Sequence, residues 1–213
     1  MAAAVAAPIA KEFPLTSMEG LELFNVKGEA GSYRGKRAVR LLDSPAAGGS
    51  GEGIAILTRS EFEDGIIEAD VAGTPRAGSD TSVARGFIGL AFRVQKDHSR
   101  FECFYIRPTN GRANDQLRRN HSTQYISSPA FPWQKLRQES PGVYESYCDL
   151  EDGAWTNVKI RVSGVEAQLF VNGAAQPCLI VKDLKLGKTK GQVALWVGAD
   201  TDGWFSNLKV TPA

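Results

Sequence analysis

Few residues in this chain are equipped for chemistry. It has two histidines, His98 and His121, and three cysteines, Cys103, Cys148 and Cys178, with no Cys-x-x-Cys pair. That excludes a closed zinc centre of the common spacing and a disulfide-dense scaffold. Titratable and aromatic groups gather instead on two short runs and one long segment. In the first run Glu68 and Asp70 alternate with Ile67, Ala69 and Val71. Period two puts both carboxylates on one face, as a glycosidase pair requires; two acids facing solvent on an outer sheet would read the same way. In the second run Cys103, Tyr105 and Arg107 share a face, while Phe104 and Ile106 turn to the core. Arg93 and Ala91 occupy the polar face of the run before it. If these runs pair, Arg93, Tyr105 and Arg107 form one surface. It would hold either a sugar, through a planar ring and forked donors, or only a cross-strand polar ladder.

The long segment, residues 108–153, shows no strand alternation, and loops of that length are uncommon without a function. It holds Tyr125, Phe131, Trp133, Tyr144 and Tyr147 and several prolines, so it reads either as a structural flap or as the wall of a cleft. Glu145 or Asp115 is the acid–base candidate. His121 could move a proton or join carboxylates at a metal, although no metal site is expected. Arg107, Arg137 and Arg93 would hold substrate oxygens, Gln124 would add an amide, and Tyr125 and Trp133 would stack on a ring. Asp149-Leu150-Glu151-Asp152-Gly153 has oxygen ligands for calcium but lacks the spacing of a calcium loop, so a solvated turn and no cofactor are expected. Trp155, Trp196 and Trp204 lie in strand contexts and are expected to pack at the core or edges. Cys103 and Cys178 lie in apolar runs and read as inert. One disulfide with a third free thiol is an alternative. His98, in a Lys-Asp-His-Ser turn, is expected to be exposed.

The elements that must position these groups are strands. Short apolar alternations at 67–71, 90–94, 158–162 and 193–197 each bury one face. Ser163-Gly164 and Asn172-Gly173 supply hairpin turn chemistry, and residues 46–53 and 78–80 read as mobile loops. No stretch makes a three-turn amphipathic helix; 114–119 or 133–139 could supply a single turn. The spacing predicts an all-β sandwich or barrel, with an N-terminal arm at 1–19 and one domain over 20–213.

With 213 residues the chain can bury a full core unaided. Its 25 basic and 24 acidic residues leave a formal charge of +1, which argues against nucleic acid or an anionic membrane as a general partner. No apolar stretch reaches the roughly 20 residues of a membrane span. The Ala-rich start is a poor signal peptide; secreted or periplasmic residence would follow if it is a trimmed one, cytoplasmic residence otherwise. The near-zero total hides a split. Residues 107–137 carry six basic groups and one acid, whereas 138–153 carry five acids and no Lys or Arg. Internal pairing, a polar ligand site, or both would explain it.

Phe62-Glu63-Asp64-Gly65 leading into Ile67–Val71, the pair Gly89–Arg93 and Phe101–Tyr105, the stretch Trp155–Ile160 with Leu169–Gly173, and the ending Leu195-Trp196-Val197 with Trp204–Val210 together resemble concanavalin A-like jelly-roll domains. The resemblance covers about residues 20–212. It is nearest to the laminin G-like bacterial group labelled 3-keto-disaccharide hydrolase, or glycoside hydrolase family 16-like, in which an Arg-Pro and a long loop with Gln-Tyr and Trp are similar to Arg107-Pro108, Gln124-Tyr125 and Trp133. Glu68-Ala69-Asp70 begins the family 16 acid motif, but Gly73 and Thr74 stand where its third carboxylate would be. The resemblance implies a jelly-roll β-sandwich of two antiparallel sheets with a site on the concave sheet. It further implies a carbohydrate-active protein, hydrolase-like, acting on a glycoside or a modified disaccharide. A non-catalytic carbohydrate-binding module and a laminin G-like protein-interaction module are the alternatives. The oligomeric state is not written in the sequence.

Overall fold

The computed structural model describes residues 9–44 and 52–213, so most of the loop expected at 46–53 lies outside the described residues. Two sheets form, with every pair antiparallel. The first runs in the order β13 (Leu179–Val181), β12 (Glu166–Val171), β11 (Thr156–Ser163), β6 (Gly65–Pro75), β15 (Thr201–Pro212), β4 (Lys36–Asp43) and β3 (Val26–Tyr33), with β1 (Lys11–Phe13) paired to the far half of β15. The second runs β10 (Glu145–Ser146), β9 (Thr123–Ser128), β8 (Phe101–Ile106), β7 (Ile88–Val94), β14 (Gln192–Val197), β5 (Gly53–Leu57) and β2 (Leu21–Phe24). The expected hairpin forms about Gly164, with Ser163 opposite Glu166. Residues 11–13, placed in the arm by sequence, are a strand of the first sheet.

The sheets meet where period two predicts. Ile67, Ala69 and Val71 of β6 and Val158, Ile160 and Val162 of β11 are buried together. Gly73 and Gly203 leave room for the second sheet: a Cβ on Gly73 would stand 2.7 Å from the Ile88 side chain, and one on Gly203 would stand 2.6 Å from Val197. Ile88 and Val197 therefore face the first sheet. Their neighbours Gly89 and Trp196, together with Tyr105, must face away from it.

Two expectations change here. The segment at 108–153 is not irregular. It folds as α1 (Pro108–Gly111), α2 (Gln116–Asn120), β9, α3 (Trp133–Glu139) and β10. β9 escapes detection because residues 123–127 are all buried, so Thr-Gln-Tyr-Ile-Ser alternates in direction but not in exposure. His98 is not simply exposed, since its ring packs edge-on against Phe24 with centroids 5.7 Å apart.

Candidate functional site

One register row crosses the outer face of the second sheet. Ile54 pairs with Trp196, Trp196 with Gly89, Gly89 with Tyr105, Tyr105 with Gln124, and Gln124 with Glu145. Gly89 is required in the middle: a Cβ there would stand 2.6 Å from the Tyr105 Cβ. Its bare backbone lets Tyr105 and Trp196 close over it and stack, with centroids 4.6 Å apart and 24° between planes. Phe87 meets Tyr105 edge-on at 6.2 Å.

A cavity of about 240 Å³ opens on this row, lined by Glu52, Phe87, Tyr105, Trp133, Trp196 and Asp200 among others. Trp133, at the start of α3, is 36% exposed. Its ring is covered by the Arg137 guanidinium at 4.6 Å, and Arg107 lies 6.0 Å from it. The Trp196 indole N–H is buried without a hydrogen-bond partner among the described residues, although it faces Glu52 and favours that carboxylate's charged form. Ser128 Oγ donates to Glu52 Oε2 at 3.3 Å. Burial outweighs both contacts and pushes the Glu52 carboxyl above its ordinary range. Asp200 ion-pairs with Arg76 at 2.9 Å.

Behind the aromatic wall lies a hydrogen-bonded network. Buried Arg107 donates to Tyr105 Oη (2.9 Å), Gln124 Oε1 (3.1 Å) and the His121 carbonyl (2.9 Å). Burial pushes the Tyr105 hydroxyl up to about 12, so it stays protonated. Gln124 spends its amide N–H groups on the Tyr125 and Tyr144 carbonyls. Glu145, with a side chain 4% exposed, accepts from Arg137 Nε (3.0 Å) and Nη2 (2.7 Å), and His121 Nε2 lies 3.2 Å from its Oε1. Desolvation holds the imidazole below its ordinary pKa against the opposing pull of Glu145, and Arg137 and Arg107 add to the lowering. That balance favours the neutral imidazole, with Nε2 facing the Glu145 carboxylate. These three groups floor a second, wider cleft of about 720 Å³ with Leu117, Asn120 and Tyr147 on its walls.

The structure thus brings together Tyr105, Arg107, Gln124, Trp133, Arg137, His121 and Glu145. It does not bring Arg93, Tyr125 or Asp115 to them. Arg93 sits at positive φ (53°), beside a register break in β14 between Gln192 and Ala194. That twist swings its side chain to the edge of the first sheet. Fully buried there, it donates to the Glu63, Gly164 and Gly187 carbonyls and pairs with Asp64 at 3.1 Å. Tyr125 faces the interior opposite Phe104 and donates to Glu102 Oε2 at 2.6 Å, so it cannot stack on a ligand. Asp115 is the N-cap of α2 and accepts from Arg118 N. Glu68 and Asp70 lie on the outer face of the first sheet, where Asp70 pairs with Lys36 at 2.7 Å; burial raises the Asp70 carboxyl, but Lys36, Asn207 and Asn157 outweigh it and hold it low. In the acid-rich turn, Asp149 and Glu151 both pair with Arg112. Among the described residues no three His, Cys, Asp or Glu side chains converge as a metal site would need.

Sequence reasoning missed Glu52, Phe87 and Trp196. Trp196 was legible in principle: Val193, Leu195 and Val197 alternate with it, so it points out of the core. Glu52 carries no signal, because it follows a glycine-rich stretch without periodicity.

No family profile and no curated protein matches the chain. Solved structures do. The carbohydrate binding module CBM66 from Bacillus subtilis superposes with a TM-score of 0.61 at 15% identity, over 90% of this chain and 96% of its own. A Bacillus subtilis protein of unknown function with a galectin-like fold gives 0.60 at 13% identity, over 94% of each chain. The exoplasmic/lumenal domain of VIP36, in its Ca²⁺- and mannose-bound form, gives 0.56 at 10% identity, over 90% of this chain and 82% of its own. At such identities the likeness shows the fold, a concanavalin-like jelly-roll sandwich of two antiparallel sheets.

Proposed function

We propose that this chain binds a saccharide on the outer face of its second sheet, without cleaving it. The observation that carries this reading is the cavity beside the Tyr105–Trp196 stack. It is large enough for about one sugar ring and bounded by flat aromatic walls that suit apolar C–H faces. Glu52 offers a polar group at its edge, and the Trp196 N–H beside it has no hydrogen-bond partner among the described residues. The network of polar groups behind the wall is largely occupied: Glu145 is held by Arg137, with His121 beside it, which removes the group otherwise best suited to general acid work. Two fold relatives, a carbohydrate binding module and a domain with bound mannose, support the reading.

One observation favours a second reading. Glu52 and Asp200 line the same cavity, one carboxyl raised by burial and the other ion-paired with Arg76, and two carboxyl groups at one cleft are what glycoside hydrolysis requires. Titration against a panel of glycans and oxidised glycosides, with thermal shift and product release measured together, separates the two. Binding without product supports a module. Product lost in both Glu52→Gln and Asp200→Asn supports a hydrolase. Silence in both assays overturns a saccharide function and favours a protein-interaction role.

A further inference from the structure

Two of the three cysteines meet at the open edge of the sandwich. β10 is the last strand of the second sheet and β13 the last of the first, and both lie on the same side. Ser146 of β10 bonds through its Oγ to the Cys178 carbonyl, just before β13. Cys178 N donates to the Leu169 carbonyl at 2.8 Å, fixing that turn against β12. Cys148, two residues beyond Ser146, lies beside Cys178, whose thiol donates to the Leu169 carbonyl at 3.5 Å, and the two thiols influence each other's ionisation. Both side chains are only partly buried, whereas Cys103 is fully enclosed on the second sheet.

We propose that Cys148 and Cys178 are a disulfide-forming pair that staples the edge strands of the two sheets, with Cys103 remaining a free thiol. The pair is about 30 residues apart in sequence, and a cross-link of that loop restricts the unfolded chain. It would also fix β10, which carries Glu145. Proximity to Cys178 holds the Cys148 thiol below its ordinary range, while the same contact and burial push Cys178 up, so Cys148 is the attacking sulfur. With glutathione disulfide as oxidant, the Cys148 thiolate attacks one glutathione sulfur and releases the other as a thiol. The Cys178 sulfur, losing its proton to solvent, then attacks Cys148 Sγ in the mixed disulfide and releases the second glutathione. Two protein thiols are oxidised and one glutathione disulfide is reduced to two thiols.

The test uses the wild-type chain, equilibrated with reduced and then with oxidised glutathione. Thiol titration after denaturation should fall from three groups to one, the mass should drop by two hydrogens, and peptide mapping should join Cys148 to Cys178. The oxidised form should melt several degrees higher than the reduced form, and Cys148→Ser should abolish that difference. Three titratable thiols after oxidation, a cross-link through Cys103 or between chains, or an oxidised form that melts lower would each overturn the proposal.

Discussion

Glu52 and Trp133 face one cavity, yet they should respond to substitution in opposite ways. Burial raises the Glu52 carboxyl above its unfolded value, so the folded state prefers the protonated form. The stability associated with that proton is fully present below the unfolded pKa and is lost as pH rises through the folded pKa. Glu52→Gln keeps an amide in place of the acid and removes the loss. We expect it to raise stability and melting temperature at pH 7 and to change nothing at pH 3. Melting curves from pH 3 to 8 check this; a variant that melts lower than wild type at pH 7 would contradict the burial argument. Trp133, by contrast, is already partly exposed, so Trp133→Ala should move the melting temperature little. If the cavity holds a sugar, the same change removes a stacking wall and should weaken binding by about 10-fold, in line with aromatic anchors at other interfaces. Calorimetric titration with the tightest glycan of the panel reads it directly, and unchanged affinity would remove Trp133 from the site.

Arg93 shows what an element can hide. By period two it belongs on the outer face of β7, beside Tyr105. Its positive φ and the break in β14 turn it inward instead, where its guanidinium ties the Asp64 turn, the Gly164 hairpin and the Gly187 turn together. Removing it would strip the donor from three part-buried carbonyls and leave Asp64 with only the Gly164 N–H. Arg93→Met should therefore lower stability by about 3–5 kcal/mol while leaving the distant cavity untouched, which urea melts and glycan titration measure together. A loss within experimental error would mean that water replaces the guanidinium. Strands with one wet face, such as β6 and β11, were legible because exposure alternates along them; their spacing gave an all-β sandwich or barrel, and the jelly roll came from the resemblance. β9 was not, since Gln124 and Thr123 are buried beside Tyr125 and polarity no longer reports direction. The site was half legible for the same reason. Tyr105 and Arg107 follow from alternation on β8, whereas Arg93 is lost to a bulge and Glu52 to a segment with no period at all.

The order of strands in space decides which end of the chain the whole molecule depends on. β15 is the last strand in sequence but lies inside the first sheet, paired along its length to β6 and over its first half to β4, with Phe205, Leu208 and Val210 buried. The first sheet therefore cannot close until β15 is present, and four of its seven pairings, β11–β6, β6–β15, β15–β4 and β1–β15, join segments far apart in sequence, a topology that folds slowly. β1 is the reverse case. It adds three residue pairs to the far half of β15 and leaves Leu15 in the core. Deleting residues 1–13 should remove about 1–2 kcal/mol and leave a cooperative melt with unchanged glycan binding. Deleting residues 201–213 splits the first sheet between β6 and β4 and exposes its interior. That chain should show no cooperative transition by calorimetry and should bind a hydrophobic dye already at low temperature. A cooperative melt from the C-terminal deletion would mean that β6 can pair with β4 without β15, and the sheet order described here would not be the one that holds the domain together.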